Sequence, residues 1–505
     1  MNQLKAGAAL NYVVIILNML VGLLYTPYML RMMGQSEYGL YSLVASVISY
    51  LTVLDLGIGN AIVRYTAKFR AEGKTTEQYE MFGMFLLLYI VIGVVAFVLG
   101  LGLYFNVETL FGSTMSLEEL DKARIMMIFL IFNLAVTFPM SIFGSIITAY
   151  EQFVFQKVIN IIRIFLNTLI MICLLEMGYK AVAMVILQTV FNLLTLIINY
   201  FYCRYKLQIK IFFRNFNWEF LKEVAVYSFW IFLNVIMDRI YWSTGQFVLG
   251  AFVGTAAVAV FAIAIQLENI YMQFSTAISS VFLPKVTSMV ALNNNPKEIS
   301  DLFIRTGRIQ YIVIAFILTG FIVFGRNFIN LWAGVEYESA YPITLLFFVS
   351  LAIPLIQNLG VTILQARSQM KFRSLLYIVI AIVSLAFQII WTKKYGGIGC
   401  AVSIAGALLL GQGLIMNVYY HKKQGLNIRR FWVEILKMSI VPIVLCLIGI
   451  FVFQGRSLDS WFALGIAVTL FISIYIPLFF FFSMNNSERN LIITPLKIVV
   501  NKIKR

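Results

Sequence analysis

The chain has 505 residues, of which 61% are hydrophobic and only 12% are charged, and its mean hydropathy is +0.90. Soluble domains average about 45–50% apolar residues, so the composition excludes a soluble globular protein and predicts a polytopic membrane protein. The net charge of +16 is spread over short loops, which indicates contact with anionic lipid and gives little support to nucleic-acid binding.

Apolar runs recur along the whole chain, each near the ~20 residues that span ~30 Å of hydrocarbon. They predict an all-α protein with about fourteen transmembrane helices. The first is expected to be a retained helix, because its run has no small-residue cleavage pattern. The predicted spans lie at roughly 8–30, 38–62, 81–105, 124–148, 157–177, 181–203, 224–250, 255–283, 309–331, 341–365, 374–391, 398–419, 438–454 and 461–483.

The distribution of basic residues predicts the orientation of the chain. With the amino terminus inside, 29 of the 38 Lys and Arg residues fall on the inner side, Arg163 among them, and eight fall on the outer side. Cytoplasmic loops carry an excess of Lys and Arg. We therefore expect both termini of this multi-pass protein to be cytoplasmic.

A faint internal repeat suggests how the chain is divided. Leu17 and Asn18 in the first span match Leu233 and Asn234 in the seventh. Paired repeats are a common plan of membrane transporters. The predicted parts are a six-helix lobe at 1–203, a cytoplasmic interfacial linker at 204–223, a second six-helix lobe at 224–420, and two additional helices with a basic cytoplasmic tail at 421–505.

Four ionisable residues are assigned to the interior of the predicted spans, namely Asp55, Asp238, Arg239 and Glu268. A charge at the centre of a spanning helix costs about 2.5–3.5 kcal/mol, so it normally faces a bundle interior or a wet cavity. Interhelical hydrogen bonds in membranes average only about 0.6 kcal/mol, so packing alone is a weak reason to keep these charges. The alternative, buried interhelical pairs that fix the packing, stays open.

The functional interpretation is a hydrated cavity lined by the first, second, seventh and eighth spans. In it, Arg239 would bind an anionic head group while one or more carboxylates titrate or bind a coupling cation. The candidate substrate-binding residues are Arg239, Asp238, Asn234, Gln246, Gln266, Arg31 and Arg64. The candidate ion-coupling residues are Asp55, Asp238 and Glu268. For Arg31 and Arg64, at the ends of their spans, the alternative is an interfacial anchor.

Enzyme-like patterns are missing from the sequence. The four cysteines form no CxxC pair and His421 is the single histidine, so we expect no metal site and no catalytic residues. No GxxxxGK[ST] loop is present to bind nucleotide phosphates. We therefore expect no bound cofactor, and a transport process driven by an ion gradient rather than by ATP.

The segment PYMLRMMGQSEYGLYSLVASVISYLTVLDLGIGNAIVRY resembles the N-terminal signature of Wzx-type polysaccharide flippases. The segment LGAFVGTAAVAVFAIA, from Leu249, is similar to the family's equivalent at the start of the second half. The residues that carry the first resemblance are Pro27, Arg31, Gly34, Tyr38 to Tyr41, Asp55 to Gly57, Ala61, Arg64 and Tyr65.

The resemblance implies a member of the multidrug/oligosaccharidyl-lipid/polysaccharide exporter (MOP) superfamily, with two six-helix lobes around a central cavity. It implies ion-coupled alternating access, driven by H⁺ or Na⁺, that moves undecaprenyl-diphosphate-linked oligosaccharide to the outer leaflet of a bacterial plasma membrane. The cargo would serve cell-surface polysaccharide such as O-antigen, lipopolysaccharide or exopolysaccharide. Expected partners are the lipid-linked substrate, anionic lipids, a glycan polymerase and other assembly proteins.

Three other functions stay open at this point. A cation-coupled multidrug exporter of the same superfamily would use Asp238 or Glu268 to bind cationic drugs. A non-transporting scaffold of a glycan-assembly complex would not need the charges in the spans. A membrane glycan polymerase would need an acidic cluster, for which the chain offers Glu118, Glu119 and Asp121.

Overall fold

The computed structural model describes residues 3–214, 216–292, 295–367, 369–453, 458–491 and 493–494. Their regular structure is helical, as the composition predicts. The predicted basic tail falls almost wholly outside the described residues. In chain order the α-helices are α1 (Gln3–Met33), α2 (Gln35–Leu51), α3 (Ile58–Ala71), α4 (Thr75–Phe105), α5 (Val107–Phe111), α6 (Leu117–Ala149), α7 (Phe153–Glu176), α8 (Ala181–Phe201), α9 (Trp218–Trp242), α10 (Thr244–Phe252), α11 (Thr255–Leu292), α12 (Pro296–Trp332), α13 (Ala340–Ile356), α14 (Asn358–Ala366), α15 (Lys371–Leu408), α16 (Met416–Lys422), α17 (Ile428–Phe453) and α18 (Trp461–Phe482).

Among the described residues, 11 helices are long and apolar enough to cross a membrane, or 12 if the bent pair α13 and α14 is one span. The predicted count of fourteen is thus approached but not confirmed. One reason is the stretch Lys371–Lys422, a single candidate of 52 residues. Its helix is interrupted at Gly396, where φ is +57°, a left-handed conformation that favours glycine. Two of the predicted spans, 374–391 and 398–419, lie on either side of this interruption.

The chain forms two compact units. The first contains residues 1–262 and 385–400, and the second contains 263–384 and 401–505. The predicted lobe boundaries at 203 and 224 stay a prediction.

In the first unit, α4 and α8 pack on α6, and α1 packs on α7. The apolar core contains Tyr89 and Phe138, whose rings stack with their centroids 6.5 Å apart. The non-helical part of the 204–223 linker packs on α4, where the Phe212 amide donates a 3.1 Å hydrogen bond to the Tyr79 carbonyl. This contact ties the linker to the first unit.

In the second unit, a buried ion cluster joins α12, α17 and the segment that follows α18. The Arg308 guanidinium binds both oxygens of Glu488, with Nε 2.6 Å from Oε1 and Nη2 3.0 Å from Oε2. Its Nη1 donates to Oε2 of Glu434 at 2.7 Å. Arg308 and Glu488 are both buried, so the cluster holds these elements together through charges that water does not screen.

We predict that Arg308→Ala is strongly destabilising, because it leaves the buried carboxylate of Glu488 without a counterion. The expected loss of unfolding free energy is about 3–5 kcal/mol. Arg430→Ala is the matched control, since the Arg430–Asp301 ion pair is exposed and such pairs contribute about 0–1 kcal/mol. Unfolding of the purified variants in detergent measures both changes. Equal effects of the two substitutions would contradict the structural role of the buried cluster.

Candidate functional site

The second predicted span is interrupted at its acidic residue. Helix α2 ends at Leu51, a 3₁₀ turn covers Thr52–Asp55, and α3 begins at Ile58. Between them, Leu56 and Gly57 have φ of +52° and +73°, a left-handed conformation that glycine adopts easily and leucine does not. Broken helices within a membrane occur where the backbone is buried in protein or lines a water-filled cavity. The break therefore marks a polar region of the first unit.

Asp55 has a defined partner at this break. The Tyr89 hydroxyl, on α4, donates a 2.8 Å hydrogen bond to Asp55 Oδ1. The Tyr89 side chain is fully buried, while Asp55 is half-buried. The tyrosine therefore helps to fix the position of the carboxylate.

A second helix break lies beside the first. The predicted seventh span, 224–250, is divided into α9 and α10 at Ser243. Ser49 Oγ donates a 3.0 Å hydrogen bond to Ser243 Oγ, and the hydroxyls of Tyr50 and Thr244 are also hydrogen-bonded. Helix α9 also packs against the turn that carries Asp55. The two breaks thus form one polar junction within the first unit.

Arg239 lies one turn before this second break. Its carbonyl oxygen accepts a 2.9 Å hydrogen bond from the Ser243 amide. The Nε atom of its guanidinium is buried and has no hydrogen-bond partner among the described residues. A buried donor without an acceptor costs about 1–3 kcal/mol, and more when it is charged. An anionic or polar acceptor beside the Arg239 Nε would remove this cost.

A comparison with protein-family models bears on this geometry. The model described as "Polysaccharide biosynthesis protein" matches residues 4–290, more than half of the chain. The chain belongs to this polysaccharide biosynthesis family. The matched range includes the break at Asp55, the junction at Ser243, Arg239 and Glu268. A comparison with curated protein sequences finds no match.

Solved structures show the fold of this family member. The chain is similar to the lipid II flippase MurJ in an inward closed conformation, with a TM-score of 0.70 and 17% identity over 93% of this chain and 97% of that one. A multidrug resistance MATE family transporter of the MOP superfamily gives a TM-score of 0.62, with 14% identity over 80% and 99%. A MOP superfamily transporter from Pyrococcus furiosus gives 0.55, with 14% identity over 83% and 95%. The predicted MOP fold is thereby confirmed.

The remaining candidate residues of this family member are placed as follows. Arg31, in the last turn of α1, and Arg64, on α3, are both exposed, and the Arg64 guanidinium lies 5.6 Å from the Tyr65 ring centroid. Asp238 is exposed on α9, and Gln246 is half-buried on α10, which packs on α2. The side chain of Asn234 lies outside the described part of the structure.

Glu268 and Gln266 belong to the second unit, on α11. Glu268 has no exposed surface, and neither of its carboxylate oxygens has a hydrogen-bond partner within the described part of the chain. Gln266 is half-buried. A fully buried carboxylate without a partner is costly unless it is neutralised, so Glu268 is suited to hold a proton or a cation.

Two polar residues were not identified as site residues from the sequence, namely Tyr89 and Arg163. Tyr89 was missed because a tyrosine in an apolar run is typical of packing. Arg163 was assigned to the inner loops, but it is the eleventh residue of α7, about 15 Å from the start of that helix at 1.5 Å per residue. The predicted span 157–177 includes Arg163, but the residue was counted with the inner side because basic residues near the start of a span are typical of the cytoplasmic interface. The signal that could have found Arg163 is the helical spacing of polar residues around it.

We predict that Gly57→Ala destabilises the protein, because alanine pays about 1–2 kcal/mol in the left-handed conformation that Gly57 adopts. Gly102→Ala is the matched control, since it lies in helix α4 with open space around an added Cβ atom. That substitution should be neutral or stabilise by about 0.5–1 kcal/mol. Thermal unfolding of the two variants tests the break: a Gly57→Ala variant as stable as Gly102→Ala would show a continuous helix at this position.

Proposed function

We propose that this protein is a flippase that moves a diphosphate-linked oligosaccharide lipid from the inner to the outer leaflet of a bacterial plasma membrane. The cargo would be a repeat unit of a cell-surface polysaccharide. The family supports the link to polysaccharide synthesis. The similarity to the lipid II flippase MurJ, which covers nearly the full length of both chains, supports a membrane transfer step by alternating access.

The observation that carries this proposal is the buried, unpartnered Nε of Arg239 beside two helix breaks. Arginine presents a planar fork of donors that binds phosphate oxygens in pairs. A diphosphate head group would supply the acceptors that the described residues do not supply. Ser49, Tyr50 and Thr244 add hydroxyls at the same junction, which suits the polar part of a glycolipid.

The energy would come from an ion gradient acting on a carboxylate. Glu268 is the better candidate, because its two oxygens are buried and lack hydrogen-bond partners in the described chain. Asp55 already accepts a hydrogen bond from Tyr89, and Asp238 is exposed, so each has a smaller need for a bound H⁺ or Na⁺. Uptake and release of the ion at Glu268 would bias the protein between its two access states.

The proposal includes an orientation and a set of partners. Both termini would face the cytoplasm, as the Lys and Arg distribution predicts. The exposed basic residues of the linker, Arg204, Lys206, Lys210 and Arg214, would contact anionic lipid. A glycan polymerase and other assembly proteins would receive the lipid-linked unit at the outer leaflet.

The second candidate is a cation-coupled multidrug exporter. The fold similarity to a multidrug resistance MATE transporter and the buried Glu268 carboxylate favour it. Such a protein would need acidic groups in its site, whereas Arg239 would repel cationic drugs. Sensitivity of a deletion strain to cationic dyes, with normal surface glycan, would favour this candidate over the flippase.

We predict that Arg239→Ala abolishes glycan export while leaving insertion and folding intact, because it removes the cation that binds the diphosphate. A deletion strain complemented with the variant should lack surface polymer and accumulate lipid-linked units inside. Arg204→Ala, an exposed arginine of the linker, is the control and should restore export. Normal surface polymer with Arg239→Ala would remove this residue from the mechanism.

We predict that Glu268→Gln reduces gradient-driven export at least tenfold without loss of folded protein. The neutral amide is similar in shape but cannot exchange a proton or bind a cation. Transport by purified protein in vesicles, with and without an imposed ion gradient, measures the effect. Glu77→Gln, at an exposed glutamate near the start of α4, serves as the control. If the gradient accelerates Glu268→Gln as much as the wild type, coupling resides elsewhere.

A further inference from the structure

Two neighbouring helices of the first unit carry polar stripes through an otherwise apolar span. Both stripes have the i, i+4, i+7, i+11 spacing that places side chains on one helix face. Several exposed apolar residues of each helix lie on the opposite face. The stripe on α7 consists of Gln156, Asn160, Arg163 and Asn167, and the stripe on α8 consists of Gln188, Asn192, Thr195 and Asn199. The apolar faces contain Val158, Ile162, Phe165 and Leu169 on α7, and Ile186, Val190, Leu194 and Ile197 on α8.

The middle of these stripes borders a cavity of about 380 Å³ between α1, α6, α7 and α8. A volume of about 300–1,000 Å³ is typical of small-molecule sites, and at ~30 Å³ per water it would hold roughly a dozen waters. The size therefore exceeds that of a single inorganic ion. Its polar lining comprises Asn18, Asn133, Arg163, Asn167, Thr168, Gln188 and Asn192.

Hydrogen bonds hold part of this lining in place. The Asn192 side-chain amide donates to Asn133 Oδ1 and to Thr137 Oγ1, each at 2.7 Å. Gln188 Nε2 donates to the Tyr41 hydroxyl at 2.8 Å. The amides at this wall are thus oriented before any ligand binds, which reduces the entropy lost on binding.

Two other groups of the lining lack partners. Asn167 Oδ1 is buried and accepts no hydrogen bond from the described residues. Arg163, one turn away on α7, forms no ion pair with any carboxylate in the described part of the chain. A cation in the middle of a span costs about 2.5–3.5 kcal/mol. An anionic group in the cavity would offset that cost.

We propose that this cavity binds an acidic sugar residue, a hexuronate, of the transported glycan. The Arg163 guanidinium binds the carboxylate through paired hydrogen bonds. The amides of Asn167, Gln188 and Asn192 bind hydroxyls, because amides both donate and accept hydrogen bonds as hydroxyls do. The choice of a sugar rests on the proposed function, whereas the anionic character of the ligand rests on Arg163 alone. The cavity would select glycans that carry a carboxylate over neutral ones.

Titration calorimetry of the purified full-length protein with free glucuronate tests this assignment. Glucose, sodium chloride and inorganic phosphate are titrated in parallel. We expect glucuronate to bind the wild type at least tenfold more tightly than glucose. Arg163→Gln and Asn167→Asp should each weaken glucuronate binding at least tenfold, the second because its new carboxylate competes for Arg163. Arg163→Lys should retain part of the affinity, and Arg214→Gln, at an exposed linker arginine, should retain all of it.

Three results would overturn the proposal. The first is that the wild type does not bind glucuronate. The second is that Arg163→Gln leaves glucuronate binding unchanged, and the third is that the protein binds chloride or phosphate more tightly than glucuronate. The melting temperature of Arg163→Gln shows whether it is folded, and it should not fall, because the substitution removes an unpaired charge from the span.

Failure of this site and failure of the flippase proposal are distinguishable. A deletion strain with normal surface glycan, together with Arg163-dependent glucuronate binding, would contradict the flippase function and support the acidic-sugar site. A deletion strain that loses surface glycan, together with a purified protein that does not bind glucuronate, would contradict the acidic-sugar site and support the flippase function.

Discussion

The structure depends on one constraint, which is that a polar or charged group within hydrocarbon must find its partner inside the protein. Helices satisfy this constraint for the backbone, and most of the described chain is therefore helical. Within the first unit, the helical backbone is interrupted at Thr52–Gly57 and at Ser243. The first break carries the Asp55 carboxylate and the second carries the Arg239 guanidinium, with hydroxyl groups beside each. The constraint thus explains why the helix breaks and the candidate site coincide.

The same constraint separates charges with a structural role from charges with a candidate function. Arg308 is bound by two carboxylates, and its cluster fixes helices of the second unit. Arg239 and Glu268 have buried atoms without hydrogen-bond partners in the described chain, and Arg163 has no ion pair there. Fold stability alone does not account for such groups, because each one raises the cost of folding in a membrane. In the proposed function, a transported anion and a coupling ion would supply what these groups lack.

Much of this architecture could be predicted from the sequence, because apolar runs separated by charged loops indicate spanning helices. Asp55, Arg239 and Glu268 were singled out because a charge in an apolar run is conspicuous, and their functional roles stay predictions. Gly57 and Gly59 beside Asp55 indicated a hinge or a close helix contact at the first break, whereas the break at Ser243 was not predicted, because hydropathy is insensitive to backbone dihedral angles. Tyr89 was missed because its role depends on a partner 34 positions away. The count of spans was affected by Gly396, where two predicted spans lie within one long helix.

The central claim is that this protein moves a lipid-linked oligosaccharide between leaflets, and a leaflet assay with purified components tests it most directly. The protein is reconstituted into vesicles that contain undecaprenyl-diphosphate-linked oligosaccharide, and a glycan-modifying enzyme added outside reports the exposed fraction. With the substrate loaded in one leaflet and an ion gradient imposed, the account predicts that its exposed fraction changes rapidly in vesicles with the wild-type protein and slowly in vesicles without protein. An exposed fraction that is the same in both, with folded protein present, would contradict the account.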